Sequence, residues 1–122
     1  PADSPALAQA AIQIAVVSRA AGLAKPIAGV TPDMDTTRVA SDMREAMTMG
    51  FGAKMCIHPM QITAVRQAIT PSEQEVAWAQ RVLLAWNAGA GGVLQVDGKM
   101  VDRPVVLKAE RIISRTAQTL GP

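Results

Sequence analysis

Apolar positions along this chain recur with helical spacing in some stretches and run continuously in others, and the changes between the two divide it into elements. Ser4 is a good N-cap with Pro5 at the first helical position, and Leu7, Ala11, Ile14, Ala15 and Ser18 share a face. This pattern predicts a helix over residues 4–21, ended by Gly22. Ile27 to Thr31, bounded by Pro26 and Pro32, reads as a short apolar strand. Asp35 or Thr36 then caps a helix with Val39, Met43, Ala46 and Met47 on one side, closed by Gly50. A second strand is expected through Met55, Cys56 and Ile57. The chain leaves it at His58-Pro59, where Pro59 biases His58 toward extended geometry and presets its own φ for a helical turn.

Ile62, Val65 and Ile69 mark the helix that follows. Ser72 to Glu75 is a capping box launching a longer helix with Val76, Ala79, Leu83 and Trp86 inward. Gly89 to Gly92 reads as a flexible joint. Beyond it Asp97-Gly98 suits a tight hairpin between Val93–Val96 and Lys99–Val101. Two-residue pairing sets Val96 opposite Lys99 and Val93 opposite Asp102. Pro104 starts a last helix with Val105, Ala109, Ile112, Thr116 and Leu120 on one face and Lys108, Arg111 and Arg115 on another.

The alternation of helices and strands implies parallel strands joined by crossovers, an α/β class. Two short parallel strands cannot cover both faces of a sheet, and a (β/α)8 barrel needs about 250 residues. The expectation is therefore the C-terminal part of a (β/α)8 TIM barrel followed by a β-hairpin and C-terminal helix. Residues 1–90 are read as barrel and 91–122 as a hairpin-helix appendage docking on a neighbouring subunit. The start at Pro1, without an initiator Met, is taken to mean that something precedes this stretch.

Composition narrows the function classes. The 122 residues are 49% hydrophobic and 18% charged, which suits one modest core rather than disorder. Net charge is +2 with the basic residues dispersed, and the chain has no Tyr, one Phe and two Trp, so nucleic-acid binding is not expected. No apolar run reaches the roughly 20 residues that span a bilayer. A single cysteine, Cys56, fits a reducing compartment, and the chain reads as cytoplasmic.

The one histidine invites a Cys56/His58 dyad, since residues two apart on a strand share a face. Such neighbours sit roughly 6 to 7 Å apart, beyond hydrogen-bond reach, and Cys56 reads as a buried structural thiol. No second histidine or Cys-x-x-Cys supplies a zinc shell. Gly92 and Gly98-Lys99 enclose five residues where a P-loop needs four, and Met100 stands where Ser or Thr would hold magnesium. Asp33 and Asp35 are either rim residues of a barrel or a turn aspartate and a helix cap. Asp102 is either a helix cap or a carboxylate presented at the end of a rigid ribbon.

Several runs together resemble the citrate lyase β-subunit family, the HpcH/HpaI-type CoA-ester lyases. They are Pro26 to Asp33, Ile57-His58-Pro59-x-Gln61-Ile62, Glu75-Val76-x-Trp78-Ala79 and Gly98 to Asp102, in the family's order and spacing across nearly the whole chain. The resemblance implies a barrel enzyme, usually trimeric, that cleaves or forms C–C bonds beside a CoA or acyl-carrier thioester such as a citryl, malyl or methylmalyl group, with Mg2+. It makes Asp102 the catalytic acid/base, presented to the next subunit's site, and makes Ile57, His58 and Pro59 the lining of the channel for the pantetheine arm. The family's metal ligands and substrate arginine lie in earlier strands, so no metal ligand is expected here and this stretch is expected to be inactive by itself. Ala28 stands where relatives often have Asp, and Met60 where they have Ser. The competing reading is a non-catalytic oligomerisation module derived from such a barrel.

Overall fold

A computed structural model of the chain describes residues 4–89 and 94–119. They form α1 (Pro5–Ala20), β1 (Ile27–Ala28), α2 (Thr36–Thr48), β2 (Ala53–Lys54), α3 (Pro59–Ile69), α4 (Glu73–Ala88), β3 (Leu94–Val96), β4 (Lys99–Val101) and α5 (Arg103–Thr119). The class is α/β, mostly helical, with one parallel strand pair and one antiparallel pair.

The chain divides into two compact units, Pro1–Ile69 and Thr70–Pro122. The expected boundary after residue 90 falls among residues outside the described set. The second compact unit includes α4, which buries Ala79 and Val82 in one core with Val101, Val106 and Ala109.

In the first unit β1 and β2 pair in parallel with Ile27 opposite Ala53 and Ala28 opposite Lys54. The ladder is extended on either side by Gly52 N–H donating to Pro26 C=O and Met55 N–H donating to Ala28 C=O. Both strands are shorter than the apolar runs predict, and β2 lies two residues earlier than Met55–Ile57. The reason is competition for the backbone groups. Beyond Ala28, Gly29 C=O accepts from Lys54 Nζ, the carbonyls of Thr31 and Asp33 accept from Gln61, and Ile57 N–H donates to Gln61. Side chains take what a longer ladder would need.

Of the two residues expected to cap α2, Asp35 does so, its carboxylate accepting from Thr37 N–H. Its C-terminus is closed by Gly50 N–H to Met47 C=O and Phe51 N–H to Ala46 C=O, the paired bonds of a glycine-terminated helix. Gly50 has a φ of 101°, and a Cβ there would lie 2.9 Å from Ala15 Cβ. Glycine is needed both for the left-handed backbone and for the close approach of α1. Val39 and Met43 of α2 pack with Ala64 and Val65 of α3, while Ala28, Ala46 and Phe51 form a smaller cluster that Ala11 of α1 packs against. The face expected of α1 is covered in part: Ala11, Ala15 and Ser18 are half-buried, whereas Leu7 and Ile14 are exposed and the helix has no fully buried residue. On α3 the inward positions are Gln61, Ala64 and Val65, and Ile62 is exposed.

In the second unit the Ser72–Glu75 capping box forms in both directions. Asp97 and Gly98 have φ of 52° and 73°, the two positive angles a type I′ turn needs, and the register sets Val96 opposite Lys99 as predicted. The pairing expected of Val93 with Asp102, and Leu120, lie outside the described residues. The hairpin tip is tied to α4 by Arg81 and Asp97 at 2.8 Å, and Lys108 sits 5.3 Å over the Trp78 ring. Val106 rather than Val105 is the deeply buried valine of α5, and Trp86 of α4, expected inward, is covered only in part, at 37% exposure. Among the described residues no helix is long and apolar enough to cross a membrane.

Candidate functional site

Because β1 and β2 are parallel, the loops that leave their C-terminal ends, residues 29–35 and 55–58, emerge on one side of the first unit. Strand ends of this kind are where α/β folds place ligands. The first loop is shaped by its own aspartates. Asp33 Oδ1 accepts from Asp35 N–H at 2.9 Å, and Asp35 Oδ1 accepts from Thr37 N–H at 2.8 Å. Both thus do the turn and cap work their residue type favours. Thr31 Oγ1 donates to Asp42 Oδ2 at 2.6 Å, and Asp42 Oδ1 also holds Arg38 Nε at 2.9 Å. A hollow of about 670 Å³ opens here, lined by Val30, Thr31, Asp33, Arg38 and Asp42 among others.

The second loop carries Ile57, His58 and Pro59. His58 is exposed and serves as the cap of α3: its Nδ1 accepts from Met60 N–H at 3.2 Å and its C=O accepts from Gln61 N–H at 3.0 Å. That geometry requires an unprotonated Nδ1. Cys56 Sγ points instead to Lys54 C=O at 3.9 Å, so thiol and imidazole each have backbone partners and form no nucleophilic pair. Exposed apolar side chains belong to both loops and the start of α3: Val30, Met34, Met55, Ile57 and Met60.

Sequence reasoning took Gln61 only as a letter of a motif, yet it is the residue that joins the two loops. It is 1% exposed, donates through Nε2 to Thr31 C=O and to Asp33 C=O at 2.9 Å each, and accepts at Oε1 from Ile57 N–H at 2.9 Å. The signal was present: Gln61, Ala64 and Val65 follow the i, i+3, i+4 spacing of a buried helix face, and a polar residue at such a position must find partners.

Asp102 belongs to the second unit. It is exposed, and its Oδ1 accepts from Val105 N–H at 3.1 Å at the start of α5 while the buried Val101 anchors the preceding strand. The carboxylate is therefore both a helix cap and a solvent-facing group at the end of a pinned hairpin. Among the described residues no group of three or more His, Cys, Asp or Glu is placed to hold a metal ion.

No family model matches the chain. A citrate lyase subunit beta-like protein of Mycobacterium tuberculosis is 39% identical over 85 residues, covering 70% of this chain and 31% of the relative. The mitochondrial citramalyl-CoA lyase of Rattus norvegicus is 29% identical over 115 residues, covering 92% of this chain and 34% of the relative. Among solved structures, that of CitE from Mycobacterium tuberculosis in complex with magnesium, acetoacetate and coenzyme A matches with a TM-score of 0.78 at 34% identity, over 89% of this chain and 40% of that one. The chain thus spans about a third of the length of these curated relatives, 31% and 34%. With this likeness in sequence and in three dimensions, the chain belongs to the citrate lyase β-subunit family.

Proposed function

We propose that this chain is the C-terminal part of a magnesium-dependent lyase that cleaves or forms a C–C bond beside a CoA or acyl-carrier thioester. In this reading β1, β2 and their helices are the last part of a (β/α)8 barrel. The observation that carries it is the match, at a TM-score of 0.78 and 34% identity, to a structure holding magnesium, acetoacetate and coenzyme A. The exposed apolar side chains of the two strand-end loops support a role in receiving an alkyl-amide arm such as pantetheine, with the Ile57-His58-Pro59 turn as its lining.

In this reading the ion's ligands lie in earlier strands of the enzyme, and the ion would stabilise the oxyanions that develop during cleavage. What this chain contributes is a proton. In the cleavage direction the β-hydroxyl of the substrate loses its proton and the bond between the α- and β-carbons breaks. The electron pair passes to the α-carbon side as a thioester enolate, and a 2-oxo acid departs. The Asp102 carboxyl then protonates the α-carbon; in synthesis its carboxylate removes that proton. Its exposure, on a hairpin end pinned by the buried Val101, supports presentation of the group to a neighbouring subunit of a homo-oligomer, in this reading a trimer. A single cysteine suits such an enzyme in a reducing cytoplasm.

The test is made on the complete polypeptide that carries this chain. Citryl, malyl and citramalyl thioesters are supplied with magnesium and the released 2-oxo acid is measured. Cleavage of at least one, abolished by chelation, is expected. No cleavage of any of the three would overturn the reading.

A further inference from the structure

We infer that Gln61 is a positioning residue for the thioester arm, acting by clamping the Ile57–Pro59 turn to the loop that follows β1. The inference rests on the reading of that turn as the arm's lining. The two loops are 28 to 30 positions away from each other's contacts in sequence, and within the described residues their backbone groups meet through one side chain. A primary amide has two N–H donors and a carbonyl acceptor. All three functions are engaged, the donors by the carbonyls of Thr31 and Asp33 and the acceptor by the N–H of Ile57. The residue is 1% exposed, so water does not compete for these bonds.

The clamp is specific to glutamine. An ionised glutamate of the same shape would set a carboxylate against two carbonyl oxygens and keep only the bond from Ile57. Methionine would fill the space and make none of the three. Because every partner is a backbone atom, the clamp fixes where the loops lie whatever their side chains are. The first residue of the turn is the one it holds.

The experiment compares Gln61→Met and Gln61→Glu with the unaltered complete enzyme, reading KM and kcat for the CoA thioester across pH. Loss of positioning removes binding shared by ground and transition states, so KM should rise about tenfold with kcat within about twofold. The Gln61→Glu defect should shrink as pH falls, because a protonated carboxyl regains one donor, whereas that of Gln61→Met should not. A fall in kcat at constant KM, which marks an interaction made only in the transition state or a smaller folded fraction, would overturn the inference, as would unchanged kinetics. Ile57→Ala and His58→Ala separate the two levels. If they raise KM and the Gln61 variants do not, the clamp fails alone; if neither pair does, the lining itself is wrong and the inference falls with it. Should neither Gln61 variant fold, hydrogen exchange of the unaltered protein decides: a slow Ile57 amide, although Ile57 is outside the strand ladder, supports the clamp, and a fast one overturns it.

Discussion

Asp102→Asn separates the two jobs that the structure gives this residue. Asparagine ranks with aspartate as an N-cap, and its side-chain oxygen can occupy the place of the Oδ1 that accepts from Val105 N–H at 3.1 Å. What the substitution removes is a titrating carboxyl and its negative charge at a helix N-terminus. The charge is worth about 0.3–1 kcal/mol, so stability should fall by no more than that. Asp102→Ala loses the cap as well, for a further ~1 kcal/mol. Turnover should respond on another scale. A positioned proton-transfer group contributes about 10²- to 10⁴-fold, or roughly 3–5 kcal/mol of barrier at about 1.4 kcal/mol per decade. Both variants of the complete enzyme should therefore lose turnover by two to four decades, and differ from each other only in equilibrium unfolding. If Asp102 were only a cap, the asparagine variant would match the parent in turnover and differ from it only by that small loss of stability. A folded Asp102→Asn enzyme with normal turnover refutes the assignment.

Two further substitutions test the packing. Val106 is 1% exposed and Val105 only half-buried, so Val106→Ala should cost about 2–3 kcal/mol by lost methyl burial plus cavity, and Val105→Ala clearly less, as read from denaturant midpoints. Gly50→Ala adds a methyl 2.9 Å from Ala15 Cβ at a φ of 101°, whereas Gly98→Ala, at a φ of 73°, meets nothing within 4 Å. The second should cost the left-handed penalty alone, about 1–2 kcal/mol, and the first more, seen as a larger drop in melting temperature.

Local signals in the sequence were legible where the structure answers them locally. The Ser72–Glu75 box, the Asp35 cap, the glycine closure at Gly50 and the Asp97-Gly98 turn all depend on partners within a few residues. The apolar face of α2 was legible for the same reason, since helical spacing alone defines it. Strand extent was not. Ile27 to Thr31 and Met55 to Ile57 have strand composition, but where the ladder stops is decided by Lys54 and Gln61 side chains reaching backbone groups 25 to 30 positions away. Burial was legible only in part on α1, where Ala11, Ala15 and Ser18 are half-buried but Leu7 and Ile14 stay exposed, and on α5, where Val105 and Val106 are both apolar and only the packing against Ala79 and Val82 chooses between them. At the site, His58 and Pro59 were placed correctly at a strand-to-helix turn. The residue holding that turn was overlooked because its partners are carbonyls, which leave no trace in a residue pattern.

The hairpin tied to α4 also bears on the order in which the chain acquires its structure. Closing β3 on β4 brings together Val96 and Lys99, three positions apart, through a turn whose positive φ angles Asp97 and Gly98 readily adopt. Hairpins of this kind form in about 1–10 μs. Pairing Ile27 with Ala53 must first close a loop containing a helix of 13 residues, and topologies with distant contacts fold more slowly. When the complete chain refolds, Thr70–Pro122 is then the fast-forming unit, and the rim that carries His58 is completed last. A pulse of deuterium early in refolding should find the amides of β3 and β4 protected while those of β1 and β2 still exchange.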